Sequence, residues 1–541
     1  MRVRLGGILF AVTLSAIFFV GIAAYADSSF GDPEPVNNNA NSDIELDGNP
    51  SVASDGSGNL VTVWVSANLQ DNGIGNDGDI FAAYSSDGGA NWSNPIAITT
   101  DDAADQGPAV ATDGAGNWVA AWSSDNSLGD IIGNDYDILF SRSTDNGQTW
   151  STPTFLNSLA PTSNASDFDV TVVAGGPDLF IAAWDSNGNV GTGSDTEIHY
   201  ARSKNGGGSW SDEEALNPDA DSDNSKFDQQ PHLASDGQGN WVAIWLGEGE
   251  DSIYDVLTAR STNDGKSWKS QKTAGSGSGL PRIATDGAGN WVAVWYLLDP
   301  VKGLADNDND IIVVRSTNNG GSWTAQEFLN SEADGDAHND YKPSIATDGI
   351  GTWLVVWAST NPLDGGAAAD FDIHTARSTD NGATWTNAKQ LHNNAGTDLG
   401  SDTNPVAINK GEDDWFVGWE SYEPFVDLGS DADILSVRAF PSTYTITNPN
   451  GGEEWKIGKK GTIQWNSSES LGKVKLILLK GGVEITTIKN KTKDDGEYKW
   501  EVPVGVGTGN NFRVRIEAKN DSNNADESDA NFTIKSGKSA R

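Results

Sequence analysis

Six copies of one eight-residue pattern, Ser-x-[Asp/Asn]-x-Gly-x-x-Trp, divide most of this 541-residue chain into a regular array. The copies start at Ser85, Ser143, Ser203, Ser261, Ser316 and Ser378, so successive starts are 58, 60, 58, 55 and 62 residues apart. That period suits one four-stranded unit per copy, with a continuous core buried between neighbouring units. The patterned residues are Ser85, Asp87, Gly89 and Trp92; Ser143, Asp145, Gly147 and Trp150; Ser203, Asn205, Gly207 and Trp210; Ser261, Asn263, Gly265 and Trp268; Ser316, Asn318, Gly320 and Trp323; and Ser378, Asp380, Gly382 and Trp385. Each box explains itself as a turn. Short Ser and Asp side chains bond backbone groups, Gly takes the left-handed conformation, and Trp covers the hairpin. Asn205, Asn263 and Asn318 keep the acceptor oxygen while losing the charge, so the role is hydrogen bonding rather than ionisation.

Upstream of each box lies a second element, typified by Pro281 to Trp295, in which apolar runs flank an Asp-Gly-x-Gly-Asn turn. This reads as strand A, tight turn, strand B, with strand C and the box following. The closing Trp of strand B occurs seven times, as Trp64, Trp122, Trp184, Trp245, Trp295, Trp357 and Trp419, against six boxes. After the seventh strand C, Ala439-Phe440-Pro441 stands where a box is due, while Ser29 to Asn37 matches the strand D sequences after Trp150 and Trp323. The N-terminal segment is therefore expected to supply the missing strand and close a ring without open edges. The predicted fold is all-β: a seven-bladed β-propeller at residues 27–441, closed by the N-terminal strand.

Met1 to Ala26 reads as a secretory signal peptide: Arg2 and Arg4, an apolar run, then Ala24-Tyr25-Ala26 as a cleavage site. The mature chain has no other run long enough to span a bilayer, and no Cys for a disulfide or lipid anchor. A secreted or cell-surface location follows as an expectation. The net charge of −43 is lopsided: residues 1–443 carry 18 Lys+Arg against 64 Asp+Glu, and residues 444–541 carry 16 against 13. An array this acidic disfavours nucleic acid and anionic membranes and favours cations or basic partners.

The boxes resemble the Asp boxes, or BNR repeats, of the sialidase-like superfamily, over roughly residues 29–440. The resemblance implies a propeller whose boxes lie on the rim away from the ligand face, and a protein that binds or hydrolyses glycans. A sialidase needs three Arg converging on the substrate carboxylate, a Tyr nucleophile with its Glu, and an Asp acid/base. Here Arg142, Arg202, Arg260, Arg315, Arg377 and Arg438 all hold one strand C position before a box, or before its missing counterpart. That repetition marks a structural bond, and Arg282 alone breaks the pattern. Every one of the 21 Trp fits the repeat scheme or lies beyond residue 443, so no irregular aromatic platform is left in the array for stacking sugars. The sequence therefore leans away from an enzyme; if it is one, a glycoside hydrolase of sialidase-like fold is the expectation.

Residues 442–536 change composition toward Lys, Thr and Val with short alternating strands, which suits a β-sandwich, and residues 537–541 form a tail. Thr447 to Trp455 and Gly461 to Trp465 resemble the immunoglobulin-like domain of Kre9/Knh1-type and Ser-Thr-rich surface proteins. The resemblance implies attachment to a surface.

Boxes and A–B turns fall on one face of the array, leaving the B–C and D–A loops on the other. The B–C loops end in acidic pairs: Asp77/Asp79, Asp135/Asp137, Asp195/Glu197, Asp308/Asp310, Asp370/Asp372 and Asp431/Asp433. Their constant register favours a capping role over metal binding. Among the D–A loops, Asp219, Asp221 and Asp223 alternate in a way that suits calcium, without the EF-hand's glycine and terminal glutamate. A polar ligand site is expected at the channel mouth. Counting from the Pro that opens strand A, the next residue is Ser51, Ala109, His232, Arg282, Ser344 or Val406, with the third unit divergent. His232 and Arg282, joined by Tyr341, Glu420, Tyr422 and Glu423, would hold a polar glycan or anion. Three functions compete: a non-catalytic glycan- or protein-binding propeller, a secreted glycosidase, and a calcium-dependent component of a surface layer.

Overall fold

The computed structural model describes residues 30, 33–37, 46–67, 77–129, 131–133, 135–188, 196–216, 227–249, 254–269, 272–298, 308–329, 338–363, 370–391, 400–411, 414–422, 432–439, 444–467, 473–518, 521–528 and 530–537. They fall into two compact units, one within residues 29–441 and one within 442–541. The signal-peptide segment, Glu423 and the proposed calcium loop at Asp219, Asp221 and Asp223 lie outside the described residues.

The larger unit contains seven four-stranded antiparallel sheets among the described residues. The first runs Leu46–Ser54, Leu60–Ala67, Gly78–Ser85 and Ile96–Ala97. The next five open with Asp105–Thr112, Asp167–Gly176, Asp228–Ser235, Gly279–Thr285 and Asp340–Thr347. The last takes three strands from Asp402–Asn409, Trp415–Ser421 and Asp433–Ala439, and its fourth from Glu34–Pro35, with Glu34 opposite Ser436. First strands pack side by side in sequence order, and that of the seventh sheet packs on that of the first.

Local chemistry sets each hairpin. Asp55 Oδ1 accepts the amides of Ser57 and Asn59 at 2.8 and 3.1 Å, and Asn59 Nδ2 donates back to Asp55 Oδ2 at 2.6 Å. Gly56 and Gly58 supply the positive φ, and Asp113, Asp236 and Asp286 build the same turn with Asn117, Asn240 and Asn290. The second strands are buried along most of their length, with Trp118, Trp122, Trp241, Trp245, Trp291, Trp295, Trp353 and Trp357 fully buried.

The six boxes share one bonding scheme. In the second, Ser143 Oγ donates to Asp145 Oδ1 at 2.8 Å and accepts the Gly147 amide at 3.0 Å. The Asn boxes preserve it by a matched exchange. Asp145 Oδ2 and Asp380 Oδ2 accept the hydroxyls of Thr149 and Thr384, whereas Nδ2 of Asn205, Asn263 and Asn318 donates to Ser209, Ser267 and Ser322, each at 2.9 Å. The fourth strand starts beyond the box Trp, as Thr154–Phe155 does after Trp150. The ring instead reaches back onto the preceding sheet, as Trp210 does edge-on to Phe140 at 5.8 Å and Trp92 does, tilted, to Phe416 at 5.7 Å. The repeated Arg works at the same seam. Arg142 Nε donates to the Gly206 carbonyl at 2.5 Å, and Arg260 Nη1 to that of Asn318 at 3.4 Å, each in the box of the next sheet.

A second seam crosses between sheets. Asn157 Nδ2 donates to Asp137 Oδ1 at 2.8 Å in the second sheet and to Asp167 Oδ2 at 2.7 Å in the third. Asn37 does the same between Asp433 of the seventh sheet and Asp47 of the first, at 2.9 and 2.8 Å.

The smaller unit pairs a three-stranded sheet with a larger one around Tyr444, Ile463, Trp465, Leu476, Leu478, Phe512, Val514 and Phe532. Its longest strand, Val483–Lys493, lies on a largely exposed edge of the larger sheet.

Candidate functional site

All seven first strands of the larger unit bulge at the same place. The register slips between Gly48 and Ser51, Gln106 and Ala109, Phe168 and Thr171, Gln229 and His232, Gly279 and Arg282, Tyr341 and Ser344, and Thr403 and Val406. Within each bulge one residue is left-handed: Asn49, Gly107, Asp169, Gln230, Leu280, Lys342 and Asn404, with φ between 47 and 59°. Pro follows six of them and Val170 the seventh. Holding non-glycine residues, Leu and Lys included, at positive φ costs conformational energy, and such strain concentrates where backbone aims a side chain at a ligand. The seven bulges surround a cavity of about 550 Å³.

Two residues beyond each left-handed position, the side chains are Ser51, Ala109, Thr171, His232, Arg282, Ser344 and Val406, which supplies the residue for the divergent third sheet. In three of the seven sheets this position has a structural task. Ser51 Oγ accepts the Val110 amide of the next sheet at 3.2 Å, and Ser344 Oγ accepts that of Ala407 at 3.1 Å. His232 does the same through Nδ1, which accepts the Ile283 amide at 3.4 Å and so leaves Nε2 carrying the hydrogen. Burial, with Arg282 nearby, pushes the His232 imidazole down to about 3, which keeps it neutral.

Arg282 cannot serve as an acceptor. Its Nη1 donates to the adjacent Pro281 carbonyl at 3.0 Å, and among the described residues no carboxylate lies within ion-pair distance. Burial lowers the affinity of the guanidinium for its proton and the Asp169 carboxylate opposes that, so the group stays a cation with donors to spare. Asp169 opens into the cavity from the third sheet; its surroundings raise its carboxyl while Arg282 pulls it down. Behind it, Asp185 is buried and is pushed up to about 8 by burial and by Asp169.

Across the cavity, Glu420 Oε2 accepts the Asn49 amide at 3.1 Å and Asn404 Nδ2 at 2.7 Å, tying the seventh sheet to the first. Lys342 lines the same side, its ammonium lowered by burial and raised in part by Glu420. Tyr341 turns away: its hydroxyl accepts from Asn309 Nδ2 at 2.7 Å, and its ring meets Tyr296 edge-on at 5.2 Å. Tyr422 is 46% exposed and outside the cavity lining, its phenol raised to about 12 by burial and by Glu420. The structure thus brings together His232, Arg282 and, at the rim, Glu420, and adds Asp169, Asp185 and Lys342. The left-handed residue before each Pro was the available sequence signal for Lys342; Val170 hid it for Asp169.

One lone guanidinium, a neutral imidazole N–H and an open carboxylate can hold an anionic group beside hydroxyls. Among the lining residues Arg282 is the single Arg and no Tyr is present, so the three-Arg and Tyr machinery of a sialidase is not assembled there.

Residues 448–534 match the family of Kre9/KNH-like N-terminal Ig-like domains. Solved structures similar in fold include a Dyadobacter fermentans protein of unknown function, at 13% identity and a TM-score of 0.44, covering 76% of this chain and 98% of that one. Others are an ulvan lyase of polysaccharide lyase family PL25, at 11% and 0.45 over 76% and 94%, and a Hadza microbial sialidase, at 18% and 0.38 over 70% and 76%. No curated protein matches the chain. At these TM-scores the likenesses assign no activity here. Among the described residues, no helix is long and apolar enough to cross a membrane.

Proposed function

We propose that this is an exported, non-catalytic binding protein: a closed seven-bladed propeller at residues 27–441 that captures an acidic or otherwise polar glycan at its central cavity, with a surface-attachment module at 442–536. Support for the ring comes from the pairing of Glu34–Pro35 with the seventh sheet and from the Asn37 and Glu420 bonds that join seventh to first. Support for export comes from the Arg-led apolar segment before Asp27, and for attachment from the similarity of residues 448–534 to a Kre9/KNH-like domain.

The observation that carries the ligand class is Arg282. A guanidinium occupies a position that accepts an amide hydrogen at Ser51, His232 and Ser344, and among the described residues no carboxylate lies within ion-pair distance of it, Asp169 acting on it from farther off. Its five donors suit a carboxylate or sulfate, while Asp169 and the His232 Nε2–H suit neighbouring hydroxyls. The test is a panel of neutral and acidic oligosaccharides titrated against the full chain. Binding confined to acidic members, with no bond cleavage, supports the reading; binding indifferent to charge sinks it.

A further inference from the structure

Where the second seam joins the first and second sheets, the cross-linking amide is missing. The residue after Leu156 is Asn157 and the residue after Val36 is Asn37, and each bridges two buried carboxylates from adjacent sheets. The residue after Ile98 is Thr99, whose Oγ accepts the Ile80 amide at 2.7 Å just as Asn157 Oδ1 accepts that of Ile138 at 3.2 Å. Asn157 still has an NH₂ with two hydrogens for two carboxylates. Thr99 has one hydroxyl hydrogen for Asp79 and Asp105.

Those two carboxylates are left short of partners. Asp79 is fully buried and neither of its oxygens has a hydrogen bond at normal distance. Asp105 is 3% exposed; its Oδ1 accepts from Trp122 Nε1 at 3.1 Å, the Ser124 hydroxyl also acts on the carboxylate, and its Oδ2 has no hydrogen bond at normal distance. Asp77 and Asp101 add negative charge: each acts on Asp79, and Asp101 also acts on Asp105. Asp101 is itself held by the Ala103 amide at 3.0 Å and Asn126 Nδ2 at 2.7 Å, while Asp77 keeps an unpartnered buried Oδ2. No Lys, Arg or His acts on this group among the described residues. Two carboxylates ionised together in a low-dielectric seam repel, and the pair is relieved either by holding a proton, the direction in which burial pushes both Asp79 and Asp105, or by gaining a cation.

We infer that the seam between the first and second sheets is a calcium-class divalent cation site, held by Asp79 and Asp105 with the Thr99 hydroxyl, in the place that the Asn157 and Asn37 amides fill at the seams on either side. Among the described residues no three carboxylate or imidazole groups already converge on one point, so Asp77 or water completes the shell as the cation draws the carboxylates in. Calcium tolerates that irregular oxygen set, whereas magnesium demands a regular octahedron.

The equivalence with Asn157 gives a direct test. Thr99→Asn supplies the missing amide and removes the need for a cation. Full-length protein, its variant Thr99→Asn, and Asp105→Asn are titrated with calcium chloride alone by calorimetry, and their thermal midpoints are compared in calcium and in EDTA. Wild type binds one more calcium than Thr99→Asn, and its midpoint rises by several degrees in calcium by an amount that Thr99→Asn loses. Asp105→Asn weakens that site at least tenfold. Equal stoichiometry and equal calcium shifts in wild type and Thr99→Asn overturn the inference, as does a wild type that binds no calcium. Should Asp105→Asn fail to fold, the conservative Thr99→Asn comparison decides alone.

Discussion

His232 and Arg282 hold equivalent positions on adjacent first strands, yet His232 Nδ1 accepts the Ile283 amide at 3.4 Å while Arg282 turns its Nη1 to its own neighbour, the Pro281 carbonyl, at 3.0 Å. The same position therefore does structural work in one sheet and is released from it in the next. The released residue is the cation.

Arg282→Ser should raise stability. By analogy with Ser51 and Ser344, a serine there can accept the amide of the next sheet, a gain of about 0.5–1.5 kcal/mol in chemical denaturation. A loss of stability would mean that Arg282 already serves the fold.

Stability should fall as the solution becomes more alkaline. Burial pushes Asp137 up to about 6, and burial with Asp169 pushes Asp185 up to about 8. A carboxyl raised on folding favours the fold while protonated; the contribution is complete below its unfolded value of about 3.9 and is lost as pH climbs through the folded value. Unfolding free energy measured in EDTA should drop by on the order of 1 kcal/mol or more between pH 5 and pH 9. Asp185→Asn should flatten the part between pH 7 and 9, and an unchanged slope contradicts this assignment.

Ser143→Ala strips a box of the hydroxyl that accepts the Gly147 amide and donates to Asp145. Urea unfolding should show a loss of about 1–3 kcal/mol, with ligand affinity unaltered because the box lies outside the cavity lining.

Asn37→Ala removes both donors between Asp433 and Asp47, and Asn157→Ala is its counterpart inside the array. Each leaves two buried carboxylates exposed to one another, at about 2–4 kcal/mol. Comparable losses support a ring closed through the N-terminal segment; a much smaller loss for Asn37→Ala argues for an open array.

The sequence made the boxes and the Asp55-type turns legible because their bonds run within five residues, from Ser143 to Gly147 and from Asp55 to Asn59. The N-terminal completion of the seventh sheet was legible by subtraction, one box being absent. The cavity was read only in part. His232 and Arg282 stood out against Ser and Val at one register, but Asp169 lies in the one sheet whose bulge lacks Pro, and Asp185 reaches the site from a second strand. Tyr341 was placed there by face alone, and its bond to Asn309 takes it elsewhere. Carboxylates such as Asp79 and Asp137 read as caps because their partners, Asp105 and Asp167, come from the next sheet, a contact that no local pattern encodes.

The central claim is most directly tested by titrating wild type and Arg282→Gln side by side with an acidic oligosaccharide that the wild type binds. Loss of a charge-assisted guanidinium contact should weaken binding roughly 10- to 100-fold while leaving the thermal midpoint at or above that of wild type. Equal affinity for the two proteins would contradict a cavity built around Arg282.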